Sequence, residues 1–235
     1  MQFIVPLFLL CGASLGAQTI CHFQPLLNGS PVQLAGADAG AVALAREQGE
    51  EDTPAVNVDV LRYYLSGFEL RREGRVVYRQ PDSYHLLDAA DAESLYVSLE
   101  EPAGLEYDEL RFLLGVDSTR AAGGVSGGAL DPTNGMYWTW RSGYVNFKLE
   151  GTSPACPARN HRFQFHVGGF RGANNTAREV LLPATPGRSL TITLDLDEVF
   201  ATLNLAEAYR VMLPGEGANR LADVLQRSFR TSAFR

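Results

Sequence analysis

Four histidines, two tryptophans and one serine in a Gly-rich loop are the residues of this chain whose types could do chemistry. The tryptophans, Trp138 and Trp140, sit one residue apart in "NGMYWTW", beside Met136 and Tyr137. On an extended chain Met136, Trp138 and Trp140 point one way, and Tyr137 and Thr139 the other. Such a block has three readings: an aromatic cluster closing one end of a core, a flat platform for stacking on sugars, or an aromatic wall beside a metal. The histidines are His22, His85, His161 and His166. Imidazole nitrogen and thioether sulfur are donors that soft monovalent copper accepts, and they match Mg²⁺ or Ca²⁺ poorly. A single histidine is more often a hydrogen-bonded structural residue than a ligand, so a metal site requires several to converge. His161, in the loop-like "ARNHR", reads as solvated.

Ser126 in "GVSGG" matches the G-x-S-x-G pattern of hydrolases. A nucleophile elbow needs a strand directly before the serine and a helix directly after it. Here "DSTRAAGG" precedes it and "ALDPTNG" follows, and neither fits. The chain carries no HExxH, no CxxC pair, no phosphate-binding loop and no dinucleotide fingerprint. It also lacks the CxxCH of c-type haem attachment. A non-enzymatic protein is expected.

The elements that must position these residues read as strands. "TICHFQPLL", "VNVDVLRYYLSGFELR", "SLYVSLE", "LRFLLGVD", "YVNFKLEG", "RFQFHVGGF" and "SLTITLDLD" follow in order. Several alternate strictly: Phe163, Phe165 and Val167 oppose Gln164 and His166, and Val145, Phe147 and Leu149 oppose Tyr144, Asn146 and Lys148. Period-2 alternation bounded by Gly, Pro and Asp turns marks half-buried antiparallel strands. His85 follows Tyr84 where "PDSYHLLDA" leaves a turn and enters a short strand. The polar, Ala/Gly-rich stretch from Asn28 to about Thr53 reads as a long loop. Helices are expected only in "DEVFATL", with Asp197 placed to cap it, and in "ANRLADVLQRSFR". The expected fold is all-β: an antiparallel β-sandwich with long loops and short C-terminal helices, in one domain over residues 18–235.

Bulk properties narrow the function. The chain has 235 residues, 46% hydrophobic and 20% charged, enough for a sizeable core. Its formal net charge is −7 and no run of Lys or Arg occurs, which argues against a nucleic-acid surface or a polybasic membrane patch. Residues 1–17 read as a signal peptide: an apolar run from Phe3 to Leu10, too short to span a bilayer, then small residues to Ala17. No basic residue precedes the run. A periplasmic or secreted protein with no membrane span is expected. Cys11 follows Leu10 where a lipobox wants a small residue, so lipidation is the lesser reading. Removal of the leader leaves Cys21 and Cys156, which form either one disulfide or two unpaired thiols.

"LRYYLSGFEL", "PDSYHLLDA", "LLGVDS", "GALDPTNGMYWTWRSGYVNFKLEG" and "FQFHVGGF", in this order, resemble the MbnP-like family of exported proteins. The likeness runs from the first strand to "DLDEVF", and the "NGMYWTW…GY…FKLEG" block is its most specific part. The resemblance implies a periplasmic or secreted Cu(I)-binding β-protein acting in copper acquisition or homeostasis. It implies a tryptophan oxidised to kynurenine, at the copper site, by a partner dihaem cytochrome c peroxidase of the MauG type. Carried onto this sequence, the ligands are His85 and His166, with His22 a further one and Met136 a softer one. Trp138 is the first choice for the oxidised residue and Trp140 the second. The alternative is a non-enzymatic carbohydrate-binding or adhesion module stacking sugars on Trp138 and Trp140.

Overall fold

The structure is a computed structural model describing residues 16–35, 55–139, 141–187 and 189–231. The expected leader and Cys11 lie outside the described residues, apart from Gly16 and Ala17, and so do Trp140 and most of the expected long loop. In chain order the strands are β1 (Gly16–Leu27), β2 (Ser30–Pro31), β3 (Asn57–Arg72), β4 (Arg75–Arg79), β5 (Tyr84–Asp88), β6 (Tyr96–Pro102) and β7 (Glu109–Leu114). Then come β8 (Tyr137–Thr139), β9 (Gly143–Thr152), β10 (Arg162–Gly168), β11 (Arg178–Pro183), β12 (Leu190–Asp195), β13 (Arg210–Val211) and β14 (Phe229–Thr231). Helices are α1 (Ser118–Ala122), α2 (Asp197–Thr202) and α3 (Glu216–Arg227).

Two sheets pack face to face. The smaller runs β14-β12-β1-β2, with β6 also on β1. The larger runs β11-β7-β3-β9-β10-β13, with β4 and β5 on β3 and β8 on β9. The core lies between them: Phe23 of β1 meets Phe68 and Phe112 edge-on, and Leu61, Tyr63, Leu65, Phe147, Phe163 and Phe165 fill the rest. Each strand delivers alternate residues inward, as the period-2 pattern requires. The β-sandwich expectation holds, with mixed pairing. β1 runs parallel to β12, and β10 parallel to β13, where the sequence reading had only antiparallel strands. Parallel neighbours need long crossovers; β1 and β12 are separated by nearly the whole larger sheet, so local pattern gave no sign of their meeting.

Two local expectations are corrected. Asp197 does not cap α2: it is the first helical residue, Leu196 precedes it without a side-chain cap, and the Asp197 carboxylate instead accepts the Asn28 N–H at 2.9 Å. Cys21 and Cys156 are both free, buried thiols, not a disulfide. Cys21 points into the core from β1, where burial foremost, and then the charge of Glu101, push its thiol up to about 12. Cys156 lies in the turn between β9 and β10 and its thiol donates to the Arg162 carbonyl at 2.9 Å. Each sulfur is thus satisfied or enclosed on its own.

Candidate functional site

A second apolar cluster stands on the outer face of the larger sheet. It contains Tyr64, Val116, Ala121, Leu130, Met136, Tyr144 and Phe170, with Tyr84, Leu86, Tyr137 and Trp138 packed against it. Adjacent residues of β3 show the division: Tyr63 and Leu65 enter the sandwich core, and Tyr64 joins the outer cluster. The "DPTNGMYW" block folds over this face. Pro132–Asn134 forms a tight 3₁₀ turn whose Asp131 carboxylate accepts the Thr133 N–H, and Gly135 closes it with φ 70°. A side chain at that φ would be strained, which is why glycine ends the turn. Arg62 on β3 donates to the Asn134 carbonyl at 3.2 Å, Asn134 donates to the Ala129 carbonyl at 3.0 Å, and Tyr64 Oη donates to the same carbonyl at 3.0 Å.

The block then returns as the β8–β9 hairpin, Tyr137 opposite Tyr144. Tyr144 is the centre of an aromatic group, edge-on to Tyr137 at 5.0 Å and to Tyr64 at 5.7 Å. The half-buried indole of Trp138 lies over Gly168 of β10: a Cβ there would stand 2.9 Å from Cζ3 of the ring and 2.6 Å from the Tyr144 carbonyl. Met136 is fully enclosed in the cluster, so its sulfur faces apolar neighbours.

His166, two residues before Gly168, faces outward from the core, since Phe165 and Val167 on either side enter it; the strand pairing is irregular between Val167 and Gly168. Pairing continues the row across the sheet: His166 opposite Lys148, Lys148 opposite Arg62, Arg62 opposite Asp88. Nε2 of His166 lies 2.8 Å from Glu150 Oε1, and Glu150 also receives Lys148 at 3.6 Å and Arg162 at 3.3 Å. Burial alone would raise the Glu150 carboxyl, but the His166 hydrogen bond and the Lys148 charge outweigh it and hold it below its ordinary value. Burial depresses His166, and Glu150 only partly offsets that. The pair is therefore a carboxylate beside a neutral imidazole at neutral pH. A carboxylate only accepts, so Nε2 carries the proton and Nδ1 keeps its lone pair. This carboxylate-buttressed arrangement is the one that orients metal-ligating imidazoles.

The other predicted ligands are elsewhere. His85 pairs with Leu65 and shares a face with Leu87, both core residues, so it points to the inner side of the larger sheet. Its ring meets Phe68 edge-on at 5.5 Å and Nε2 lies 2.8 Å from the Gln80 side-chain oxygen. That oxygen already accepts the Ser83 hydroxyl, so the imidazole donates to it. His22 is on the outer face of the smaller sheet, stacked on Tyr96 at 4.4 Å. The three imidazoles thus occupy three separate surfaces, and His166 alone of them shares the face of Trp138. Among the described residues no three His, Cys, Asp or Glu are grouped to hold a metal. His161 contacts the Cys156 carbonyl through Nδ1 at 3.0 Å. Ser126 lies in the Gly-rich loop after α1, with no strand before it and no helix directly after it.

Glu150 and Gly168 went unread in the sequence. Glu150 had a usable signal, because it shares parity with Lys148 on β9. Gly168 had none, because one strand does not reveal what crosses it.

The fold and this face define an all-β sandwich whose Trp-bearing hairpin is laid on the outside of the larger sheet. The MbnP family model matches residues 18–213, and the chain belongs to that family. A solved structure with this fold is MbnP from Methylosinus trichosporium, 17% identical, with 81% of this chain and 80% of that chain covered and a TM-score of 0.57. At that identity the likeness concerns the fold. No curated protein matches the chain. No helix among the described residues is long and apolar enough to cross a membrane.

Proposed function

We propose that this MbnP-family protein is exported, binds Cu(I) in copper acquisition or homeostasis, and is matured by oxidation of Trp138 to kynurenine by a partner MauG-type dihaem peroxidase. One observation carries the reading: the Trp138 indole is half-exposed on the same outer face as a neutral, carboxylate-held imidazole. A redox enzyme reaches a half-exposed indole by long-range electron removal without enclosing it. Conversion to kynurenine breaks the indole C2–C3 bond. C2 leaves as formate, and the ring keeps a ketone and an aniline. Two oxygen equivalents and one water balance the change, the electrons passing to the peroxide that the partner consumes.

His166 Nδ1 is the protein donor that fits copper on this face, with the oxidised Trp138 supplying a neighbouring polar atom. Copper would supply a soft Lewis-acid centre. Glu150 keeps the His166 ring in the tautomer that offers Nδ1. His85 and His22 face other surfaces, so the two-imidazole chelate expected from sequence is not assembled in this fold, and the ligand role falls to His166. The sugar-platform reading has less support, because the Trp138 ring is half-buried with its six-membered ring packed close to Gly168.

The test is a competitive Cu(I) titration of the matured protein against a chromophoric chelator. His166→Ala should weaken binding at least tenfold, and His85→Ala should leave it within a factor of two. Equal loss in both variants, or loss only with His85→Ala, overturns the assignment.

A further inference from the structure

The stretch of sequence that carries the Trp138 hairpin is basic in an acidic protein, although its Arg178 is paired with Asp223 and its Arg162 with Asp59. From Pro132 to Arg178 the sequence carries six Lys or Arg and one acid, Glu150, in a chain of net charge −7. Glu150 is neutralised locally by Lys148 and Arg162. At the root of the hairpin, a Cβ on Gly143 would stand 2.8 Å from Phe170 Cδ1 and 3.8 Å from the Ala121 Cβ, so the segment after β10 and α1 both pack against it. Each of these segments carries an arginine. The Arg171 guanidinium lies 4.8 Å over the Phe170 ring and is exposed, and Arg120 precedes Ala121 in α1. Neither has a salt bridge among the described residues. Exposed Arg141 is in the hairpin itself.

The acids nearest this rim are engaged. Asp117 accepts the Tyr84 hydroxyl at 2.6 Å and the Arg120 N–H at 2.9 Å, and Asp131 accepts both groups of Thr133. Asp82 lies across a cleft of about 530 Å³ from Arg120. Apolar surface completes the patch: Val125, in the loop beside α1, is 60% exposed, and Tyr137 and Trp138 are half-exposed. A few apolar contacts beside a cluster of cations is the make-up of a transient, electrostatically steered interface. Redox encounters are the small end of the size range for protein interfaces.

We infer that the arginine-rimmed hairpin, with Arg120, Arg171, Val125 and Trp138, is the docking face for the oxidising partner, and that the partner presents an acidic protein surface to it. This rests on the proposed oxidation at Trp138. Docking there brings the oxidant against the residue it oxidises, and the positive rim raises the encounter rate of an acidic partner toward a chain that would otherwise repel it.

The experiment measures the rate of kynurenine formation in the full mature chain, with a MauG-type dihaem peroxidase and hydrogen peroxide, across a salt series. At low salt the double variant Arg120→Glu, Arg171→Glu should be modified at least tenfold more slowly than the unaltered chain. The difference should shrink severalfold at high salt, as screening removes it. Arg75→Glu, at the exposed start of β4, is the control and should match the unaltered chain. Arg120→Ser, Arg171→Ser keeps the test open if charge reversal disturbs folding, and it should lose a smaller factor with the same salt dependence. No kynurenine in the unaltered chain means that the oxidation reading fails. Normal kynurenine formation with rates indifferent to salt and to both arginines overturns the docking face alone. So does capture of the unaltered chain by phosphatidylglycerol vesicles in competition with the peroxidase.

Discussion

Trp138 rests on Gly168. A Cβ at Gly168 would be 2.9 Å from the indole and 2.6 Å from the Tyr144 carbonyl, closer than side-chain carbons approach. The strand surface beneath the ring is bare backbone, and that absence of a side chain sets the position of the tryptophan. Gly168→Ala is therefore expected to lift the indole and to cost about 1–3 kcal/mol through overpacking. Urea unfolding reads the loss, and a shift in tryptophan emission reads the displaced ring. Unchanged stability with unchanged emission would mean that the close approach is not what seats Trp138.

The His166–Glu150 pair makes a second expectation. Glu150 is what partly holds the His166 pKa up against burial. In Glu150→Gln the burial persists and the carboxylate is gone, so the imidazole should titrate at a lower pH than in the unaltered chain. A ring-nitrogen NMR titration follows it. A pKa that rises or stays put would show that the 2.8 Å contact carries no charge interaction.

Acid sensitivity follows from three histidines together. Burial lowers His22, His85 and His166 below the ordinary 6.5. The folded state then binds fewer protons than the unfolded state as pH falls through that value. Stability is full above pH 6.5 and declines below it, toward the depressed folded-state values. Carboxylates held low, Glu69 between Arg79 and Arg71 and Glu150 beside His166, add a second loss at more acidic pH, near the ordinary carboxylate range. Thermal melts from pH 7.5 to 4 should show both steps downward. A Tm that rises between pH 7 and pH 5.5 would contradict the histidine assignment.

The cysteines give a chemical test. With Cys21 and Cys156 free and buried, the mature chain should react with a thiol reagent only after denaturation, and then at both sites without a reductant. Quantitative labelling of the native protein, or none in the denatured unreduced protein, would contradict the two buried thiols.

How far the sequence carried varies with the element. β10, β12 and the second half of β9 were legible because they alternate apolar and polar residues, whereas in the first half of β9 Val145 joins Tyr144 in the outer cluster, against the expected alternation. β4 and β11 were not read as strands. "RVVYR" and "REVLLP" are short edge segments whose apolar residues face both ways, and Val76, Val77 and Leu181 stay exposed. The parity of His166 was plain from Phe165 and Val167. His85 was harder, since "YHLL" is apolar on both sides, and only pairing with Leu65 shows which side is the core. The expectation that His85 and His166 converge came from resemblance. Register places them on opposite faces of one sheet, and register depends on strands far apart in the chain.

The central claim is that Trp138, on the face it shares with His166, is the residue that is oxidised. Its most direct test is peptide mass mapping of the mature chain after reaction with the dihaem peroxidase and hydrogen peroxide. The account predicts that the mass change of one oxygen gained and one carbon lost falls on Trp138. The same change on Trp140 with Trp138 intact, or no such change at either tryptophan, would contradict it.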